Sequence, residues 1–222
     1  MAQERPFNPL DYANLGQSVA EALLARPALP LGALTPFVGA GVYAIYYSGA
    51  FPAYAALAAV NRRDPIGVPI YVGKATPAGG RKGGRGTGAA ATQALFRRLS
   101  DHVGSITEAK NLDLADFACR YLVVEDIWIP LGESLIIERF APLWNVVVEG
   151  FGNHDPGAGR LSGQRPMWDM IHPGRYWAAK FQPNRRAVPD ILAMIEQALA
   201  GWPVETLPAD VQAAEADSDT TG

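Results

Sequence analysis

Gly41-Val42-Tyr43-Ala44-Ile45-Tyr46-Tyr47 and Tyr71-Val72-Gly73-Lys74-Ala75 are the two stretches on which the fold turns. Val38 to Tyr47 is dense in Val, Ile and Tyr, which suit a pleated, half-buried surface, so it predicts a strand. A second strand is predicted over Val68 to Lys74 and a third over Phe117 to Val124. Between them, Thr92 to Val103 carries a helical stripe through Leu95 and Leu99. After Pro130, Gly132 to Phe140 predicts a helix with Leu135, Ile136 and Phe140 inward; Pro142 ends it, and Trp144 to Val148 is predicted extended. The order β-β-α-β-α predicts an α/β (α+β) core, a small three-stranded antiparallel or mixed sheet flanked by helices.

Working outward, Leu10 to Ala25 has helical spacing until Pro27 and Pro30 stop it. An insertion over 48–67 holds a short alanine-rich helix near Tyr54 to Val60. The glycine density of 76–90 rules out regular structure there. Residues 149–188 read as a polar loop, followed by a late helix from Ile191 to Leu199. The expected organisation is a helical extension over 1–37, a core over 38–148 with insertions 48–67 and 76–90, a C-terminal recognition or structural extension over 149–203, and an acidic, disordered tail over 204–222.

At 222 residues the chain suits one domain with excursions. No apolar run approaches a membrane span, and the N-terminus lacks the basic-then-apolar layout of a signal peptide, so a cytoplasmic protein is expected. The lone cysteine, Cys119, excludes an intrachain disulfide and a multi-cysteine zinc site. The net charge of −3 hides an uneven distribution, because 204–222 contains five carboxylates and no cation, and the remainder carries +2. Six cations (Lys74, Arg81, Lys82, Arg85, Arg97, Arg98) face only Asp101 between Lys74 and His102. Six more (Arg160, Arg165, Arg175, Lys180, Arg185, Arg186) face only Asp169 between Arg160 and Arg186. Such local surpluses can neutralise phosphates, or serve as ordinary solvated surface.

The residues able to do chemistry form an ordered set. Arg98 and His102 are spaced i,i+4, on a helix face expected to differ from that of Leu95 and Leu99 and to open into a cleft. Glu133 and Asn145 follow. With Tyr43 and Tyr71 the set comprises phenols, a guanidinium, an imidazole and one carboxylate, suited to cutting a phosphodiester with one metal ion. Each also has a plain alternative: strand aromatics for the tyrosines, a solvated pair for Arg98 and His102, a helix-dipole partner for Glu133, a turn residue for Asn145.

Taken together the layout resembles the GIY-YIG nuclease superfamily: GVY, then YVGKA, then Arg-xxx-His on the next helix, then Gly132-Glu-Ser-Leu-Ile-Ile-Glu-Arg-Phe-Ala-Pro-Leu-Trp-Asn145. The flanks, with Phe151-Gly-Asn-His-Asp-Pro-Gly-Ala-Gly-Arg160 and His172-Pro-Gly-Arg175, are similar to the type II restriction endonucleases of this superfamily that cut CCGCGG. The resemblance implies one Mg²⁺ per active site, with Mn²⁺ as a substitute, held through Glu133. It implies Arg98 on the phosphate, Tyr43 as general base, Tyr71 placing phosphate or nucleophile, and Asn145 bracing its surroundings. A phenol ionises near pH 10, so His102 or Lys74 is expected to lower that value or to take the proton instead. Arg81, Lys82 and Arg85 would track DNA, while Asn153, His154, Arg160, Arg165 and Arg175 are candidates for reading it, arginine suiting guanine. A palindromic double-stranded DNA target implies a homodimer, and a restriction system implies a cognate DNA methyltransferase.

Two other accounts compete: a repair-type or mobile-element nuclease that nicks with looser specificity, and a module that holds DNA without cutting it. Glu108-Ala-Lys110 resembles the E-x-K pair of another nuclease type, but that chemistry needs a strand, and Glu108 is expected in a polar connector. His154 and His172 fit no zinc spacing.

Overall fold

The tyrosine-bearing strand β2 (Gly41–Tyr47) is buried along its whole length. In a computed structural model, which describes residues 11–63, 67–77, 92–155 and 163–201, it lies between β3 (Pro69–Ala75) and β4 (Phe117–Val123). A two-residue strand, β1 (Leu29–Pro30), pairs with β4, giving the order β1-β4-β2-β3 with every pairing antiparallel. The sheet thus has four strands rather than the expected three. The additional strand is too short to leave a pattern in sequence, and Leu29 and Pro30 reach it only by aligning with Cys119 and Ala118.

Alternation along β2 sends Tyr43, Ile45 and Tyr47 to one face and Val42, Ala44 and Tyr46 to the other. Both faces are covered, which is why the strand reads as an almost continuous apolar run. On the first face lies α3 (Ala94–Glu108), burying Leu95, Leu99, His102 and Ile106. On the second lie α1 (Tyr12–Leu24) and α4 (Ile129–Phe140), burying Ala20, Leu23, Ile129 and Ile136. Helix α2 (Ala55–Asn61) occupies the insertion between β2 and β3. Pro130 sits in the first turn of α4, and Ala141, with φ 40°, ends it in the left-handed region before Pro142.

Several expectations are corrected. Residues 144–148 are not extended; Leu143–Val146 form a one-turn helix, α5, whose amides at Asn145 and Val146 donate to the Pro142 carbonyl. Residues 149–188 are not simply a polar loop. They include α6 (Met167–Ile171) and a 3₁₀ turn over Ala178–Lys180, and they bury Phe151, Trp168, Ile171 and Trp177. These residues are too irregularly spaced to produce a periodic signal, yet Phe151, Trp168 and Ile171 enter the same core as α3. Helix α3 runs on to Glu108, so that residue ends a helix instead of lying in a connector. The chain then closes with α7 (Val188–Ala200). Most of the glycine-rich 76–90 stretch and all of 204–222 lie outside the described residues. Among the described residues no helix is long and apolar enough to cross a membrane.

Candidate active site

The β2–β3 register creates the pocket. Tyr43 pairs with Gly73 and Ile45 with Tyr71, so the two tyrosines are diagonal neighbours on the α3 face, ring centroids 6.2 Å apart. Gly73 is needed opposite Tyr43, since a Cβ there would stand 2.4 Å from the phenol oxygen. Helix α3 crosses above. The expectation that His102 leaves the face of Leu95 and Leu99 is corrected: His102 continues that buried stripe and is 1% exposed. At i+3 from Leu99 it points at the sheet, where its Nε2 hydrogen-bonds Tyr43 Oη at 2.6 Å.

Arg98, one turn earlier and half-buried, lies at the rim. Its Nη2 donates to the Gly152 carbonyl at 2.9 Å, and Nη1 meets His154 Nε2. Phe151 supplies another wall, stacked on His102 (4.5 Å between centroids, 16° between planes) and edge-on to Tyr71 at 5.0 Å. Gly152 is a residue that sequence reasoning passed over. A Cβ there would fall 2.5 Å from Tyr71 Oη and 3.0 Å from Arg98 Nη2.

Burial governs the protonation states. It pushes the Tyr43 phenol well above its ordinary range and raises Tyr71; Arg98 opposes both shifts without overcoming them. Burial, and then the charge of Arg98, hold His102 well below the usual imidazole range. At neutral pH the Tyr43–His102 pair is therefore uncharged. The expectation that His102 or Lys74 lowers the Tyr43 pKa is corrected, because Arg98 is the cation that acts on it.

Lys74 shares a face with Val72 and Val42, and its Nζ forms an ion pair with Glu133 Oε2 at 2.6 Å. Glu133 projects from the second turn of α4, beyond the first turn where the helix dipole favours a carboxylate. It is close enough to both phenols to raise their pKa values. Asn145 on α5 meets the free edge of β3: its Oδ1 accepts from Val72 N and its Nδ2 donates to Val72 O, each at 2.8 Å. This replaces a missing strand partner at the residue between Tyr71 and Gly73.

The DNA-contact candidates separate. Asn153 and His154 are exposed beside Arg98. A cleft of about 440 Å³ begins at Gly152 and His154 and passes Gln164, Trp177 and Phe181. Arg165 is half-buried, with Nε donating to the Ala178 carbonyl at 3.1 Å. Arg175 is corrected outright: it is 2% exposed and bonded to Asp169 and to backbone carbonyls, so it cannot reach DNA. Arg81, Lys82, Arg85 and Arg160 lie outside the described residues.

Residues 35–199 match the family model of the Eco29kI GIY-YIG domain. The chain belongs to this family. Membership makes it a DNA-acting nuclease of the restriction-endonuclease type. The Eco29kI GIY-YIG match runs from before β2 into the last turn of α7, so it includes Phe151, Gly152 and Arg175 as well as β2, β3 and β4. No curated protein matches the chain.

Metal binding is a matter of the donor set. Among the described residues no cluster of three or more His, Cys, Asp or Glu side chains could hold an ion. Glu133, a single half-buried carboxylate, fits a hard cation whose other ligands are water and substrate phosphate.

Proposed function

We propose that the chain is a type II restriction endonuclease that cuts both strands of duplex DNA at CCGCGG by Mg²⁺-dependent phosphodiester hydrolysis. The observation that carries this is the convergence of Tyr43, Tyr71, His102 and Arg98 in one pocket, with Glu133 close enough to act on both phenols. The family match supports a nuclease of restriction type, and the target follows from the resemblance of the flanks.

Tyr43 takes a proton from the attacking water and passes its own to Nε2 of neutral His102, at hydrogen-bond distance. The relay returns Tyr43 to a neutral phenol and leaves one positive charge on His102, which burial and Arg98 disfavour and the negative charge of the bound phosphate offsets. Arg98 meets the developing charge on the phosphate with a fork already oriented by Gly152. Tyr71, braced through Asn145 on Val72, lines the phosphate side. Mg²⁺, or Mn²⁺ in its place, would be held by Glu133 and supplies Lewis-acid stabilisation together with a more acidic water. Lys74 must release Glu133 for that role. A homodimer would present one such site to each strand of a palindrome, and a cognate methyltransferase would protect the host.

Long duplex DNA incubated with Mg²⁺ or with chelator, followed by sequencing of the ends, tests the proposal. Discrete fragments sharing CCGCGG-derived termini, formed only with the metal, are expected. Random nicks would replace it with the looser nuclease, and intact but retarded DNA with the binding module.

A further inference from the structure

The Gly150–Asn153 backbone closes the pocket from outside the strands and helices, and it is held by one residue far along the chain. Arg175 has five N–H donors, and all are engaged. Nε and Nη2 bind Asp169 at 2.7 and 2.5 Å. Nη1 donates to Phe151 O at 3.0 Å and Asn153 O at 3.1 Å, while Nη2 donates also to Gly150 O at 2.9 Å. The guanidinium carbon lies 4.5 Å from the ring centroids of both Trp168 and Trp177.

Three of those five bonds converge on the segment that touches the candidate catalytic groups. Phe151 stacks on His102, and the Gly152 carbonyl, between two clamped carbonyls, takes Arg98 Nη2. A staple serving stability alone could have ended anywhere in the C-terminal extension. This one fixes the acceptor that orients Arg98. An ammonium in the same place could not form the planar fork that serves Asp169 and three carbonyls together.

We propose that Arg175 is a positioning residue, clamping Gly150–Asn153 so that the Gly152 carbonyl aims the Arg98 guanidinium at the scissile phosphate. The inference rests on the reading of Arg98 as the phosphate-binding arginine. Gly152 itself is its cleanest probe. Its backbone is not in the left-handed region, so alanine is conformationally permitted, and the atoms nearest the added methyl are Tyr71 Oη at 2.5 Å and Arg98 Nη2 at 3.0 Å.

The experiment uses the full chain with Gly152→Ala, Arg175→Lys and the double variant. Single-turnover cleavage, DNA affinity, melting temperature and the Arg98 Nε–H NMR signal, assigned through Arg98→Lys, are read for each. Gly152→Ala, whose methyl must push Tyr71 Oη and Arg98 Nη2 aside, is expected to melt somewhat earlier but stay folded, bind DNA equally and lose about ten- to a hundredfold in kcat, the scale of a misplaced reacting group. Arg175→Lys melts earlier but, assayed while folded, loses cleavage by a similar factor. Both shift the Arg98 signal, and the double variant loses less than the product of the two, since both act through one guanidinium. Wild-type cleavage and an unmoved Arg98 signal in Gly152→Ala overturn the clamp, as do effects that multiply. If the wild-type chain leaves DNA intact while the Arg98 signal still moves in both variants, the nuclease reading fails and the clamp stands.

Discussion

Oη of Tyr43 lies 2.6 Å from Nε2 of His102, inside a pocket that buries both. Each is neutral at pH 7, the phenol because burial raises it and the imidazole because burial lowers it. Removing the hydroxyl with Tyr43→Phe is expected to slow cleavage about a hundred- to ten-thousandfold, the range of a lost general base, with DNA binding retained. Quench-flow cleavage beside a gel-shift titration measures both.

The same pair sets a pH limit. Protonating His102 removes the acceptor, and its pKa is shifted below the ordinary 6.5. Single-turnover rates should therefore hold as the pH falls through 6.5 and decline only below it. A half-maximum at or above that value would remove His102 from the relay.

Glu133→Ala is expected to abolish Mg²⁺-dependent cutting while sparing DNA binding. Lys74→Met has the opposite sign for the metal, because its ammonium competes for Glu133. Since the lysine is partly exposed, the gain is modest, about two- to fivefold in Mg²⁺ affinity. Calorimetric titration of the protein–DNA complex with metal reads it, and unchanged affinity would mean that Lys74 does not compete with the ion.

Asn145→Ala leaves the Val72 amide and carbonyl without the side chain that now serves them. A loss of about 1–3 kcal/mol in stability is expected, the cost of unsatisfied part-buried polar groups. Hydrogen exchange at the Val72 amide should quicken selectively, ahead of the amides of β2.

His172 gives a stability test separate from catalysis. Its Nε2 lies 2.7 Å from Tyr54 Oη and its Nδ1 3.0 Å from Asn111 Oδ1, and burial lowers its pKa to about 3. The unfolded chain binds a proton there near 6.5 and the folded chain does not. This contribution is therefore complete above pH 6.5 and is lost on acidification towards 3, at up to about 1.4 kcal/mol per pH unit. Denaturant unfolding between pH 7 and 4 should show a shallower dependence in His172→Gln. Identical slopes would count against it.

By itself the sequence determined the sheet that carries Tyr43 and Tyr71, the helix that carries Arg98 and His102, and the helix that carries Glu133. Those elements announce themselves locally, through β-branched and aromatic runs, a helical stripe and flanking prolines. Tertiary structure alone decided which way the side chains face. His102 joins the buried stripe because α3 packs on β2, and Lys74 meets Glu133 because both lie on the α4 side of the sheet. The one-turn helix at Leu143–Val146 and the wall from Gly150 to Asn153 have no periodicity of their own. They are held by Asn145 on the β3 edge and by Arg175 between two tryptophans, contacts between residues distant in the chain that no local pattern encodes.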